Sequence, residues 1–549
     1  MPNRIAYSDR QFPKRRGGVA ILAAVLLVLV LSMVALALDV GYMMNAKTEL
    51  QAAADAAALA GAGAIADGPE KARNSAIRFA KSNGHGRKQE VAIETGEWDS
   101  SSQAFRTSSK GNAVRVTVLR EKVPLFFAGV MHKRDFSTRA TAIALPVSAR
   151  DFMFVLDASG TMNDDSELKS IAIRGRSAVE SNLATIYSEL GSPQFGSLKW
   201  TPKWITATGK PSTGASQPQI TVTFKGDSVD ITSTKDLSNV VLGFDRGPHQ
   251  KFEGLTGLSG TFSGTGLNAK RDIEKVWVKS GSNKGGGGPG YGELFKDDVP
   301  TIKRALGLEK VRYPYSSGSW DDYIDYVKTS TTNHSAGYQD KYGYLNLVNY
   351  LLEKKSAHSE TADLWRTSSQ PMRAAKDASS LVLKQLDDSS DRVGLLVFSS
   401  SNDFPQLEIP FTSDYSRVES VIRERQAGHY ALPANLGAAL QGAREELQQK
   451  GRPSASKIIV LLSDGRPETP VNANDARNYA LAQAQAAGAA KMRIIAISVG
   501  SQADKNLMRE IAQRTNGVYF HMDTPSSFES QLAEAFKTLT PESPPRLVF

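Results

Sequence analysis

The chain has 549 residues, 40% hydrophobic and 22% charged, with 45 glycines and no cysteine. At about 100–200 residues per domain it is too long for one compact unit, and its ordinary apolar fraction excludes both a wholly disordered chain and a polytopic membrane protein. The lack of cysteine excludes disulfide frameworks, thiolate zinc centres and cysteine nucleophiles, and a formal charge of +9 over this length gives no argument for a nucleic-acid partner.

Residues 19–38, VAILAAVLLVLVLSMVALAL, hold one polar side chain, Ser32. Twenty helical residues cover about 30 Å, the hydrocarbon core of a bilayer. The preceding residues carry Arg4, Arg10, Lys14, Arg15 and Arg16 against Asp9. That bias places residues 1–16 in the cytoplasm and the bulk of the chain outside it. A secretory signal has an apolar region of about 7–15 residues ending at a small-residue cleavage site. Here the run is longer and continues through Asp39, Val40, Gly41 and Tyr42 into YMMNAKTELQAAADAAALAGAGAIADG, a stretch of high helix propensity. A single uncleaved span over 17–43 is expected.

RRGGVAIL, the apolar span, and LDVGYMMNAKTELQAAADAAALAGA together resemble the N-terminal segment of TadE/TadG-like proteins, over roughly residues 15–65. That family consists of membrane-anchored components of the bacterial Flp (tight adherence) pilus assembly system. The resemblance implies a place in the cytoplasmic (inner) membrane, a periplasm-facing bulk, and pilus or secretion machinery as partners. Pilins of the related class are cleaved after a glycine followed five residues on by Glu. After Gly18 that residue is Ala23, so polymerisation as a pilin subunit is not expected.

EVAIETGEW, AVRVTVLREKVPLFF and STRATAIALP alternate partially, so residues 44–147 are expected to form a helix and a small α+β region. From 151 the pattern becomes α/β. DFMFVLD, DRVGLLVFSS, KIIVLLSD, MRIIAISVG and GVYFHM are apolar runs of buried parallel strands, and helical stretches begin near 371, 434, 475, 503 and 526. The fold class expected is α/β, a doubly wound parallel sheet with helices on both faces, whose ligands bind beyond the carboxyl ends of the strands.

Two strand ends carry the chemistry: Asp157-Ala158-Ser159-Gly160-Thr161, and Ser463-Asp464-Gly465. Each alone is also what a strand end or helix cap uses. Together, Asp157, Ser159, Thr161 and Asp464 make an oxygen-only set suited to hard cations, Mg2+ first, with Mn2+ or Ca2+ as alternatives. DxSxT followed on a later strand by SDG resembles the von Willebrand factor A (VWA) domain. The resemblance implies a Rossmann-like fold and a metal-ion-dependent adhesion site (MIDAS) in which Asp157, Ser159 and Thr161 fill the first motif and Asp464 the last. The family's separate Thr precedes an Asn; here that residue is Ala434, before Asn435.

In such a domain the helix after DxSxT leads directly into the next strand, yet here about 200 residues intervene, too many for a structureless loop. The VWA domain is therefore expected at 148–163 and 369–541, with an inserted, mostly β domain at 164–368. The insertion divides into a β-sandwich over about 193–281, a glycine-rich linker at 282–292 and a helical, aromatic-rich part at 293–368. Its aromatics, with acids among them, are read as the core and edge of a small helical unit, with a carbohydrate or protein contact surface as the alternative.

The function expected is noncatalytic. No G-x-S-x-G, H-E-x-x-H or P-loop is present, and the seven His lack metal spacing. A membrane-anchored protein binds a protein partner, through an acidic side chain on the MIDAS cation, in Flp/Tad pilus assembly or anchoring. The alternative is an envelope or surface adhesin that binds host or matrix ligands by the same site.

Overall fold

The structure is a computed structural model that describes residues 17–85, 90–99, 102–108, 113–132, 134–146, 149–209, 217–281, 292–388, 390–399, 405–430, 433–453, 455–469, 472–522, 525–539 and 546–548. The expected basic tail, 1–16, lies outside them, as does the expected linker at 282–292 apart from Gly292. The chain divides into two compact units. One comprises Met1–Ala149, Arg452–Ser456 and Pro541–Phe549, the other Arg150–Gly451 and Lys457–Thr540.

In the first unit a single helix, Gly17–Gly63, runs 47 residues, or about 70 Å. Gly41 does not interrupt it, because glycine costs a helix only about 1 kcal/mol and the flanking residues favour it. Its first half exposes Val19 to Leu38 and is long and apolar enough to cross a membrane. Its second half buries Leu50, Ala54, Ala57, Ala58 and Ala62, one face at three- and four-residue spacing, against Ala72, Ala76 and Ala80 of the helix Pro69–Ser82 and against Val114, Val116 and Val118. The alanines permit close approach: a Cβ on Gly61 would stand 3.0 Å from Val114 Cγ1. The sheet beneath is antiparallel, in the order Ala104–Thr107, Val91–Asp99, Ala113–Pro124, Asp135–Leu145, Arg546–Leu547. The last strand is a correction to the expected end of this region at 147, since Arg546 and Leu547 pair with Leu145 and Ala144. The second unit is thus inserted in the chain of the first.

The second unit is built on a six-stranded sheet, in the order Gln406–Thr412, Asp391–Phe398, Arg150–Asp157, Ser456–Ser463, Arg493–Val499, Val518–Met522. Alternate residues of the central strands feed two cores. Phe152, Phe154 and Leu156 pack with Met372, Val382, Ile422 and Phe528 on one face. Met153 and Val155 pack with Leu440, Ala484 and Met508 on the other. The strand Gln406–Thr412 was not expected. It pairs antiparallel with Asp391–Phe398 at the edge of the sheet, where Pro410 needs no ladder N–H, and the helix Tyr415–Arg423 follows it.

The insertion leaves the sheet at residue 160. Gly175, whose φ of 84° few other residues adopt, separates the helices Ile171–Arg174 and Arg176–Glu189. Two four-stranded antiparallel sheets follow. They enclose Val222, Ile231, Val240, Leu242, Val276 and Val278. The strand Glu293–Lys296 pairs with Ile273–Ser280. This corrects the expected boundaries: the sandwich extends past 281, and the helical part begins only at Val299–Ala305. Trp320, Tyr323, Tyr326, Tyr344 and Tyr350 are buried in the core that joins sandwich and helices, so these aromatics pack internally.

At that junction Asp340 has a carboxyl pushed up to about 7 by burial and by Asp297 and Asp272, with Lys328 opposing. A raised carboxyl means that the folded chain holds the proton more tightly than the unfolded one. The resulting penalty is absent near pH 4, grows as pH rises, and is complete above about 7. Asp340→Asn is therefore expected to raise thermal stability at pH 8 and leave it unchanged at pH 4. Asn tolerates the local φ of 57°. Equal melting shifts at the two pH values would contradict this.

Candidate metal centre at the sheet crest

The strand order reverses between Arg150–Asp157 and Ser456–Ser463, the point where two adjacent strand ends leave a crevice above a doubly wound sheet. Asp157 ends the first of these strands and Ser463 the second, with Asp464 next in the chain. Past Asp157 the chain turns sharply: the Ser159 N–H donates to Asp157 Oδ1 at 2.9 Å, and the hydroxyls of Ser159 and Thr161 lie 3.0 Å apart. Across the crevice Ser463 Oγ donates to Asp157 Oδ2 at 2.5 Å and accepts the Gly465 N–H at 2.9 Å. Gly465 has a φ of 69°, and a Cβ there would approach Met508 Cγ to 2.7 Å, so glycine is required after Asp464.

Asp464 Oδ1 accepts the Arg466 N–H at 3.0 Å, while its Oδ2 is buried with no hydrogen-bond partner and has the Arg466 guanidinium 3.9 Å away. Asp157, Ser159 and Asp464 are buried, and Thr161 is half-buried at the rim. Burial raises both carboxyls, that of Asp464 to about 7. Asp157 adds to this for Asp464, the exposed Glu468 adds to it for Asp157, and the Thr161 hydroxyl and Arg466 oppose it at Asp464. Two desolvated carboxylates, one raised by the other, with one oxygen that accepts no hydrogen bond, are what a hard cation would neutralise. The two hydroxyls complete a donor set of the right chemistry. Among the described residues no cluster of three His, Asp or Glu is arranged for a metal; this centre is two carboxylates and two hydroxyls.

The structure thus brings Asp157, Ser159, Thr161 and Asp464 to one crest. Ala434 supplies no side-chain oxygen. Its methyl is buried with Met153, Val155 and Leu436, and its carbonyl accepts the N–H groups of Glu468 and Thr469 at 3.0 and 3.1 Å. Sequence reasoning missed the residues that support the crest. Arg466 donates to Asp164 Oδ2 at 2.5 Å, and Lys169 pairs with Asp164 and Glu167 at 2.7 and 2.9 Å. Asp165 accepts the Ser501 N–H at 2.8 Å. The acids Asp164, Asp165 and Glu167 stand within six residues after Thr161, which is the signal that they continue the crest.

The insertion closes on this segment. The Leu168 N–H donates to Asn349 Oδ1 of the helix Tyr344–Lys354 at 2.7 Å. The Gln370 N–H donates to Ser166 Oγ at 2.6 Å, tying the insertion's exit to its entrance.

A sheet of this order with its motif at the reversal defines a von Willebrand factor type A domain, and the profile of that domain matches residues 365–535. The strand bearing Asp157 lies outside the match, cut off by the insertion, yet stands in the middle of the sheet. The chain also carries Tad-type pilus-assembly segments: residues 17–64 match the description "Putative Flp pilus-assembly TadE/G-like", and 46–144 match "Putative Tad-like Flp pilus-assembly". The chain is 30% identical to the collagen alpha-1(XXI) chain of Xenopus laevis over 132 residues, 23% of this chain and 12% of that protein. It therefore spans about an eighth of the length of that curated relative. Among solved structures, an aerotolerance-related membrane protein from Bacteroides fragilis is 18% identical, covering 31% of this chain and 90% of that one, with a TM-score of 0.27. A von Willebrand factor type A protein from Catenulispora acidiphila is 19% identical, covering 30% and 37%, with a TM-score of 0.23.

Proposed function

We propose that Asp157, Ser159, Thr161 and Asp464 hold a divalent cation, Mg2+ or alternatively Mn2+ or Ca2+, and that the protein uses this site to bind an acidic group of a protein partner in Flp/Tad pilus assembly or anchoring. The observation that carries the reading is the buried, unpartnered Oδ2 of Asp464 beside the buried Asp157. When bound, such a cation keeps a coordination position open for an outside carboxylate. Ser463 fixes the rotamer of Asp157, Gly465 sets the turn that presents Asp464, and Arg466 holds the rim. No nucleophile–base pair is assembled among these residues, so the role proposed is binding and noncatalytic. The apolar first half of the helix Gly17–Gly63 would anchor the chain in the inner membrane with its bulk outside the cytoplasm. That anchorage favours assembly over a released adhesin.

The test is assembly in a bacterium that carries the system. With Asp157→Ala in place of the wild-type chain, surface pili are expected to fall about tenfold or more while the protein level stays unchanged. Normal piliation at normal protein level would reject the reading.

A further inference from the structure

We infer that residues 125–129 form a second membrane contact, seated in the headgroup region of the leaflet from which the helix Gly17–Gly63 emerges; this rests on reading 17–43 as a membrane span. Asp39 is the first charged residue after the apolar run 19–38, and its side chain marks the level at which the helix leaves the hydrocarbon. That carboxylate is not in water: Asp39 is 4% exposed. It accepts the N–H groups of Phe126 at 2.8 Å, Phe127 at 3.0 Å and Ala128 at 2.7 Å. Three backbone donors on one carboxylate fix the loop's height along the helix.

What the loop presents there is aromatic. Phe126 is 66% exposed and Phe127 45%, and Phe126 meets the Tyr42 ring at 5.1 Å, edge to face. Two large apolar rings standing free beside an exposed apolar helix are poor surface for water but suit the boundary between acyl chains and headgroups. Val40 and Met44 are also exposed on this stretch of helix, so its apolar surface extends past Asp39 to the level of the loop. Lys122 and Arg134 flank the loop and are exposed, at positions where their charges reach phosphate oxygens while the rings lie deeper. The acids Glu121 and Asp135 are also exposed nearby, so the aromatic rings rather than net charge carry the contact. Because Asp39 joins loop to helix, this second contact fixes the tilt of the helix where it leaves the bilayer, which one span alone does not.

The lack of cysteine makes the test direct. Single-cysteine variants of the full chain, Leu29→Cys, Phe126→Cys, Phe127→Cys and Leu267→Cys, are labelled with a nitroxide and reconstituted into vesicles of phosphatidylcholine and phosphatidylglycerol. Collision rates with oxygen, which enters the bilayer, and with a water-soluble nickel chelate then give depth. The expected result is a deep label at 29, an aqueous label at 267, and labels at 126 and 127 shielded from nickel at least about threefold relative to 267. Asp39→Ala is expected to return the label at 126 to water while the label at 29 stays deep. A deep label at 29 with fully aqueous labels at 126 and 127 overturns the inference and leaves the span intact. An aqueous label at 29 overturns the span and the inference with it. Dipolar broadening between labels at 127 would identify a second copy of the chain as the occupant and likewise overturn it.

Discussion

Arg150→Met is expected to destabilise the second unit by about 3–5 kcal/mol, the cost of leaving a buried charge unpaired. Arg150 and Asp391 lie opposite each other in adjacent parallel strands, and Asp151 and Arg392 repeat the pairing with signs exchanged. Arg150 Nε donates to Asp391 Oδ1 at 2.8 Å, and Arg392 Nη2 to Asp151 Oδ2 at 3.0 Å. The carboxylates of Asp391 and Asp151 are fully buried. Removing the guanidinium leaves Asp391 with the Asp387 N–H at 3.0 Å and the Ser390 hydroxyl at 3.4 Å, but without the charge of Arg150. The double variant Arg150→Met/Asp391→Leu, which removes both charges, is expected to recover most of the loss. Chemical denaturation of the full chain measures both. A loss under about 1 kcal/mol in the single variant would contradict the account. These pairs join strands that the insertion separates by 241 residues, so they set the register across its two ends.

Asp464→Asn carries effects of opposite sign. Both crest carboxyls titrate above their usual range, so the folded metal-free chain holds protons more tightly than the unfolded one. The penalty is absent at about pH 4 and grows as pH rises through neutrality. Asn is uncharged, and its Oδ1 still accepts the Arg466 N–H. In chelator at pH 8 the variant is expected to melt higher than wild type, by roughly 2–4 °C for each kcal/mol of repulsion relieved; at pH 4 the two should coincide. Cation affinity should fall by more than the 10–100-fold typical of losing a second-shell partner. Saturating Mg2+ should stabilise wild type, by about 2.7 kcal/mol at a hundredfold excess over Kd, and leave the variant unchanged. A variant less stable than wild type in chelator at pH 8 would reject this account of the site.

Much of the fold is legible in the sequence for one reason. A strand buried on both faces is a continuous apolar run, and DFMFVLD, KIIVLLSD and MRIIAISVG sit in the sheet at Arg150–Asp157, Ser456–Ser463 and Arg493–Val499. The edge strand Gln406–Thr412 is buried at Ile409 alone, so it has no such run, and Pro410 argues locally against any strand. Likewise Glu293–Lys296 is four residues that gain strand structure only by pairing with Ile273–Ser280. The crest divides in the same way. Asp157, Ser159 and Thr161 share one short motif and Asp464 stands in a second, each recognisable locally, whereas Asp165 belongs to no motif and meets Ser501 across 336 residues. Asp39 is the extreme case: in sequence it ends an apolar run, and only the fold reveals that it holds a loop 87 residues away.

The central claim is that the crest binds a cation through Asp157. Calorimetric titration of the full chain in detergent with Mn2+ tests it, comparing wild type with Asp157→Ala, each first checked for native secondary structure by circular dichroism. The account predicts one saturable site in wild type and no heat beyond dilution in the variant. Equal heats from two folded proteins would show that whatever binds the ion, it is not this crest.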